Sequence, residues 1–78
     1  MMEKKVLEIL KEIGNGDNFE NSVDFIGDGL IDSFGVIALV GALEEAFEIE
    51  IDGGDILPEN FNNMEAIIEL IVKTQAEG

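Results

Sequence analysis

The chain has 78 residues, of which 46% are apolar, and it carries a formal net charge of −14 from 18 acidic and 4 basic side chains. This combination predicts one small domain with a compact core under an acidic surface, rather than a disordered tail. Such a surface repels nucleic-acid phosphates and anionic lipids and attracts basic proteins, so basic proteins rather than nucleic acids are the expected partners. Alternatively, the acidity only keeps a small domain soluble.

The first predicted element is a helix over residues 2–13. Four apolar residues recur at the i, i+3, i+4 and i+7 spacing of one helical face: Val6, Ile9, Leu10 and Ile13. Charged residues interrupt this run, so it does not predict a secretion signal, and no stretch reaches the roughly 20 apolar residues needed to span a bilayer. The chain has no cysteine, which fits a reducing compartment. We therefore expect a cytoplasmic protein without membrane insertion.

Residues 14–32 follow no helical or strand period and are rich in glycine, asparagine and aspartate, which predicts a long first loop. Loops of this length are usually anchored or functional. Six apolar residues are expected to anchor it: Phe19, Val23, Phe25, Ile26, Leu30 and Ile31.

A second helix is predicted over residues 33–47, with Asp32 as its N-cap. Sorting its residues at about 100° per residue separates two faces. The core face is expected to contain Val36, Leu39, Val40, Leu43, Ala46 and Phe47. The opposite face is apolar or small in its first half and acidic in its second half, which is typical of a partner-binding surface: Phe34, Ile37, Ala38, Gly41, Glu44, Glu45 and Glu48.

Two features of this helix leave alternatives open. Phe34 and Ile37 would be buried instead if the long loop or the next short helix covered them. Gly35 and Gly41 each lower helix stability by about 1 kcal/mol relative to alanine. We expect compensation from close backbone packing or from the close approach of a partner.

Gly53 and Gly54 end the second helical region, and Pro58 is expected to open a short third helix over residues 58–61. The last helix is predicted over residues 63–74, with a capping box between Asn62 and Glu65. Its apolar stripe is Met64, Ile67, Ile68, Ile71 and Val72. The predicted fold is all-α: a monomeric single domain over residues 1–78, a small four-helix bundle with three long helices, one short third helix and a long first loop.

Ser33 has no partner for catalysis. A nucleophilic serine needs a base, usually an imidazole, and the chain has no histidine, cysteine or arginine, so no enzymatic activity is expected. A metal site is not expected either, because neither acidic loop segment supplies the ligand order of an EF-hand. The first turn of a helix favours a phosphate on such a hydroxyl, which makes Ser33 an attachment point. Alternatively, Ser33 is an ordinary first-turn residue, or a phosphorylation site of an unmodified acidic interaction module.

The segment "GLIDSFGVIALVGALEEAFEIEI", residues 29–51, resembles acyl carrier proteins and the related peptidyl and D-alanyl carriers. The resemblance implies that Ser33 carries 4′-phosphopantetheine derived from coenzyme A, and that Asp32 helps a phosphopantetheinyl transferase and its magnesium ion recognise the site. It further implies that cargo is carried as a thioester. The implied partners are the enzymes that load and transfer acyl or aminoacyl groups, docking through basic surfaces onto the second helix.

This chain departs from the fatty-acid carriers, which usually have acidic residues at the positions of Gly35 and Ala38. That departure places a housekeeping fatty-acid role in doubt and shifts the expected recognition toward Phe34, Ile37 and the later glutamates. The run from Asp32 to Gly35 resembles D-alanyl carriers, so an acyl cargo and a D-alanyl or other aminoacyl cargo both remain open.

Overall fold

The structure, a computed structural model, describes residues 2–14, 19 and 22–77. In these ranges it contains three α-helices and no strand: α1 (Met2–Ile13), α2 (Ser33–Phe47) and α3 (Met64–Glu77). The all-α class is confirmed, but the predicted count of four helices is not. Between α2 and α3 the chain forms only two 3-10 turns, Gly53–Asp55 and Pro58–Asn60. Pro58 opens the second turn as predicted, since its missing N–H is not needed there.

The start of α3 differs from the prediction. Asn63 is the N-cap, with its Oδ1 accepting a hydrogen bond from the Ala66 N–H at 2.8 Å. The predicted capping box from Asn62 to Glu65 is therefore wrong. The Asn62 carbonyl accepts instead from the Phe25 N–H at 2.6 Å, a contact with the long loop that local spacing does not reveal. At its other end α3 continues past the predicted Thr74 to Glu77, because no glycine or proline interrupts it before that point.

The core lies where α1 packs against both α2 and α3. Loop residues also contribute, and the Phe19 and Phe25 rings meet edge to face with centroids 5.1 Å apart. The buried apolar side chains are Val6, Ile9, Leu10, Phe19, Phe25, Leu30, Ile31, Leu39, Val40, Leu43, Ile51, Phe61, Ile67, Leu70 and Ile71. The expected loop anchors Phe19, Phe25, Leu30 and Ile31 are thus confirmed as buried, and Ile26 is half-buried. Residues 15–18, 20 and 21 of the predicted loop lie outside the described residues.

Three residues expected in the core are exposed. Val23 is 83% exposed, because it lies between Ser22 and Asp24 in a polar surface turn. Ala46 is exposed because it lies at the edge of the core arc and its short side chain faces an open groove against α1. Val72 is exposed because α3 turns Leu70 and Thr74 inward instead.

Thr74 shows how a polar residue is accommodated in the buried stripe of α3. Its Oγ1 donates to the Leu70 carbonyl at 2.7 Å, which satisfies the buried hydroxyl. Over the described residues, no helix combines the length and hydropathy that a bilayer crossing requires.

Candidate functional site

Ser33 is the first residue of α2, and its side chain is exposed. The chain that leads to it is anchored, since Leu30 and Ile31 are buried and their N–H groups donate to the Phe25 carbonyl at 2.9 and 3.2 Å. Before them, a turn is closed by the Gly27 N–H donating to Asp24 Oδ1 at 2.9 Å. The hydroxyl therefore projects into solvent from a well-supported end of the loop.

Asp32 is the N-cap of α2. Its backbone is extended, with φ −105° and ψ −173°, and its Oδ1 accepts from the Gly35 N–H at 2.7 Å. Its carbonyl accepts from the Val36 N–H at 2.9 Å, the first bond of the helix. An N-cap of this kind typically contributes about 1 kcal/mol to stability. Asp32 thus fixes the residue at which α2 begins, and with it the position of Ser33.

The first turn of α2 offers hydrogen-bond donors beside the hydroxyl. Asp32 takes up the Gly35 N–H, whereas the N–H groups of Ser33 and Phe34 have no acceptor among the described residues. The helix dipole adds positive potential at this end of a 15-residue helix. The local electrostatics suit a phosphate esterified to Ser33 Oγ.

Gly35 is buried against the end of the loop. A Cβ at this position would lie 2.8 Å from Ile31 Cγ2 and 3.4 Å from Asp32 Oδ1, so a side chain would displace Ile31. Of the two explanations expected for a glycine inside α2, close backbone packing therefore holds at position 35. An acidic side chain at position 35 would therefore require Ile31 to move.

The first half of the predicted partner face is open to solvent. Phe34 is 88% exposed and Ile37 is 63% exposed, and Ala38 and Gly41 are exposed as well. The alternative in which the loop or the short third helix covers Phe34 and Ile37 is therefore wrong. Two large apolar side chains with small neighbours form an unpartnered surface next to Ser33.

The acidic half of this face is divided by the structure. Glu45 and Glu48 are exposed, but Glu44 is half-buried and its Oε2 accepts from the Ile51 N–H at 2.9 Å. Glu48 ends α2 in the left-handed region at φ 54°, and its N–H donates to the Glu44 carbonyl. The chain itself therefore uses Glu44 to fold the segment after α2 back onto the helix. The helical spacing placed it on the partner face and gave no signal of this contact.

The sequence of this chain is similar to that of a known protein. The chain is 33% identical over 72 residues to the acyl carrier protein of Buchnera aphidicola subsp. Schizaphis graminum (strain Sg), a match that covers 90% of this chain and 89% of that protein. The chain belongs to the acyl carrier protein family. No family model matches it, and no solved structure matches it. The family resemblance that residues 29–51 carry is thus confirmed over nearly the whole chain.

In this member of the acyl carrier protein family, three features position Ser33 at the start of α2. The loop anchors fix the approach, Asp32 fixes the first residue of the helix, and Ser33 is exposed at that position. Phe34 and Ile37 extend an apolar surface away from the hydroxyl along α2.

Proposed function

We propose that this chain carries a 4′-phosphopantetheine arm on Ser33, derived from coenzyme A, and moves thioester-bound acyl groups between partner enzymes. The observation that carries the proposal is the exposed Ser33 hydroxyl at the first turn of α2, in a chain of the acyl carrier protein family. When bound, the arm supplies a terminal thiol on which cargo is held as a thioester. The chain itself acts as a carrier and not as an enzyme, because the reactive atom belongs to the cofactor and catalysis to the partners.

The residues around Ser33 fit the attached group. A phosphodiester on Oγ would lie at the positive end of α2, where the N–H groups of Ser33 and Phe34 have no acceptor among the described residues. Asp32 caps the helix start through the Gly35 N–H, and we expect its carboxylate to be recognised by a transferase and its magnesium ion. The anchored loop keeps this end of α2 ordered, so docking would cost little further ordering.

The proposed partners are the phosphopantetheinyl transferase and the enzymes that load and transfer cargo. Residues 13–72 contain fourteen carboxylates and no basic residue before Lys73, so a basic rim on a partner would speed encounter. Contact close to Ser33 would be apolar, through Phe34 and Ile37. Reversible docking of this kind suits a carrier that visits several enzymes, and we propose that it does so in the cytoplasm.

An aminoacyl cargo such as D-alanine is the second candidate. The observation that favours it is Gly35, where a side chain would press on Ile31, at the position that is usually acidic in fatty-acid carriers. The exposed Phe34 beside it completes the run that resembles D-alanyl carriers. The intact mass of the loaded protein, purified from its native cells, distinguishes an aminoacyl from an acyl cargo.

Modification of Ser33 is tested by incubating the chain with coenzyme A, magnesium and a broad-specificity phosphopantetheinyl transferase. We expect intact-mass measurement to show the addition of one arm, and Ser33→Ala to abolish it. The chain offers a matched control, since its only other serine is Ser22, whose Oγ donates to Asp28 Oδ2 at 2.6 Å in the exposed loop. Ser22→Ala should gain the arm as the unchanged chain does.

A chain that is helical by circular dichroism and yet gains no mass would overturn the proposal. That result would favour the unmodified interaction module, which shares the acidic surface and the exposed apolar face. Addition of an arm to Ser33→Ala would likewise show that Ser33 is not the attachment residue.

A further inference from the structure

Ile31 and Gly35 pack against each other across the start of α2, two residues before and two residues after Ser33. A Cβ at position 35 would lie 2.8 Å from Ile31 Cγ2, closer than two such carbons approach in folded proteins. Ile31 is only 2% exposed, and Gly35 is buried as well. The two residues are therefore complementary in size, because the branched side chain of one occupies the space that the other leaves empty.

A second contact closes the same short segment. The Gly35 N–H donates to Asp32 Oδ1 at 2.7 Å, so Gly35 is held both by the side chain of Ile31 and by that of Asp32. Ser33 lies between these contacts, with its own side chain exposed. Its backbone therefore has little freedom to shift unless one of the two contacts changes.

Ile31 is also held from the side of the long loop. Its N–H donates to the Phe25 carbonyl at 3.2 Å, and the Phe25 N–H donates to the Asn62 carbonyl at 2.6 Å, just before α3 begins. The Phe25 side chain is fully buried. A chain of contacts thus runs from the start of α3 through Phe25 and Ile31 to Gly35. Because close-packed interiors transmit strain, Ile31 links the first turn of α2 to the rest of the fold.

We propose that Ile31 is a positioning residue, which sets the place of Ser33 Oγ by packing into the space left empty at Gly35. This inference rests on the proposed function of Ser33. In arm transfer, Ser33 Oγ forms a bond to a phosphorus of coenzyme A while the bond from that phosphorus to adenosine 3′,5′-bisphosphate breaks, and the hydroxyl proton passes to a base of the transferase. The attacking and leaving oxygens must lie roughly in line, and a displacement of about 1 Å can cost about a hundredfold in rate.

Gly35→Ala tests the contact directly, because the new Cβ is accommodated only if Ile31 or the first turn of α2 moves. Arm transfer is followed by intact mass under single-turnover conditions, with a broad-specificity phosphopantetheinyl transferase in excess over the chain. We expect the limiting rate to fall about tenfold or more, and the half-saturating transferase concentration to stay within about twofold. Partial unfolding has the opposite signature, since it raises the half-saturating concentration and leaves the limiting rate unchanged.

Two changes at Ile31 test whether its Cγ2 is the group responsible. Ile31→Val keeps both γ-carbons and should keep the limiting rate within about twofold. Ile31→Leu removes the branch at Cβ at nearly constant volume, and should slow transfer because a gap remains beside Gly35. In Ile31→Leu/Gly35→Ala the new Cβ fills that gap, at an ordinary 3.7 Å from the Cβ of residue 31. We expect this double variant to transfer the arm about fivefold or more faster than Gly35→Ala does.

Gly53→Ala is the matched control for the loss of a glycine. Gly53 lies in the first 3-10 turn, and a Cβ there would meet nothing within 4 Å. Its limiting rate should stay within about twofold of that of the unchanged chain. A loss in Gly53→Ala as large as that in Gly35→Ala would show a general effect of replacing glycine and would overturn the inference.

If the unchanged chain gains an arm and Gly35→Ala gains it at the same limiting rate, the positioning role is wrong and the proposed function stands. A double variant slower than Gly35→Ala would show two independent defects instead of one shared contact, which also overturns the inference. If Gly35→Ala is not helical by circular dichroism, equal limiting rates for Ile31→Val and Ile31→Leu would overturn it. An unchanged chain that gains no arm refutes the proposed function itself.

Discussion

The Asp32 carboxylate has one role that the structure shows, capping α2, and one that we propose, recognition by a transferase. Its Oδ1 accepts from the Gly35 N–H at 2.7 Å, which is the role of a helix cap, and the proposed recognition by a transferase needs its negative charge. Asparagine keeps a side-chain oxygen and caps helices about as well as aspartate does, whereas alanine has no acceptor. The two roles are therefore separable by substitution.

We expect Asp32→Asn to remain nearly as stable as the unchanged chain, and Asp32→Ala to lose about 1 kcal/mol in free energy of unfolding, measured by urea denaturation in 0.15 M NaCl. Both variants should be modified more slowly at Ser33, because both lack the charge. If Asp32→Asn were modified at the original rate, Asp32 would be a cap alone. If Asp32→Ala were fully stable, the hydrogen bond to Gly35 would contribute nothing.

At the scale of the element, local patterns predicted the limits of α2 but not those of α3. The N-cap at Asp32 and the end at Phe47 follow from residues within one turn, and the structure has both. Asn63 caps the start of α3, whereas the predicted cap Asn62 uses its carbonyl to accept from the Phe25 N–H, a bond between residues far apart in the chain. A pattern of neighbouring residues contains no information about such a contact.

The same limit applies to the candidate site. Ser33, its exposed first-turn position and the apolar surface beside it were predicted from local spacing, and the structure places them there. The Glu44 contact to the Ile51 N–H and the packing of Ile31 on Gly35 were not predicted, because each depends on how a loop folds back. Most helix residues were thus assigned to the correct face, with Ala46 and Val72 as exposed exceptions, and the contacts that depend on loop packing were missed.

The cap of α3 can be tested with two neighbouring asparagines. Asn63→Ala should lower the free energy of unfolding by about 1 kcal/mol, because it removes the acceptor for the Ala66 N–H. Asn62→Ala is the matched control and should be nearly neutral, since Asn62 contributes its backbone carbonyl, which alanine retains. Urea denaturation of both variants measures the difference. A larger loss at Asn62 than at Asn63 would restore the capping box that the sequence pattern predicts.

On the scale of the whole molecule, charge opposes folding. The net charge of −14 is carried by a body of about 32 × 26 × 18 Å. Against this repulsion, Lys73 lies 3.2 Å from both carboxylate oxygens of Asp55, tying the first 3-10 turn to α3. The hydrogen bond from Lys73 to Asp55 and the negative charge of Asp55 raise the pKa of Lys73 above its ordinary value. The pair is thus fully formed at pH 7, and its contribution disappears only as the pH rises through that raised pKa.

Salt weakens both repulsion and attraction between charges, so the direction in which the melting temperature changes with salt shows which of the two dominates. The screening length is about 30 Å in 0.01 M salt, longer than most of the molecule, and about 10 Å in 0.1 M salt. An exposed ion pair contributes little to stability, so the repulsion among the excess carboxylates should dominate. We expect the melting temperature at pH 7 to rise by about 5 °C between 0.01 and 0.1 M NaCl, which corresponds to about 1 kcal/mol. Lys73→Gln, which makes the net charge more negative, from −14 to −15, and removes an attractive pair, should show a larger rise in melting temperature. A melting temperature that falls as salt is added would mean that attractive pairs outweigh the repulsion, and that the acidic surface does not destabilise this fold.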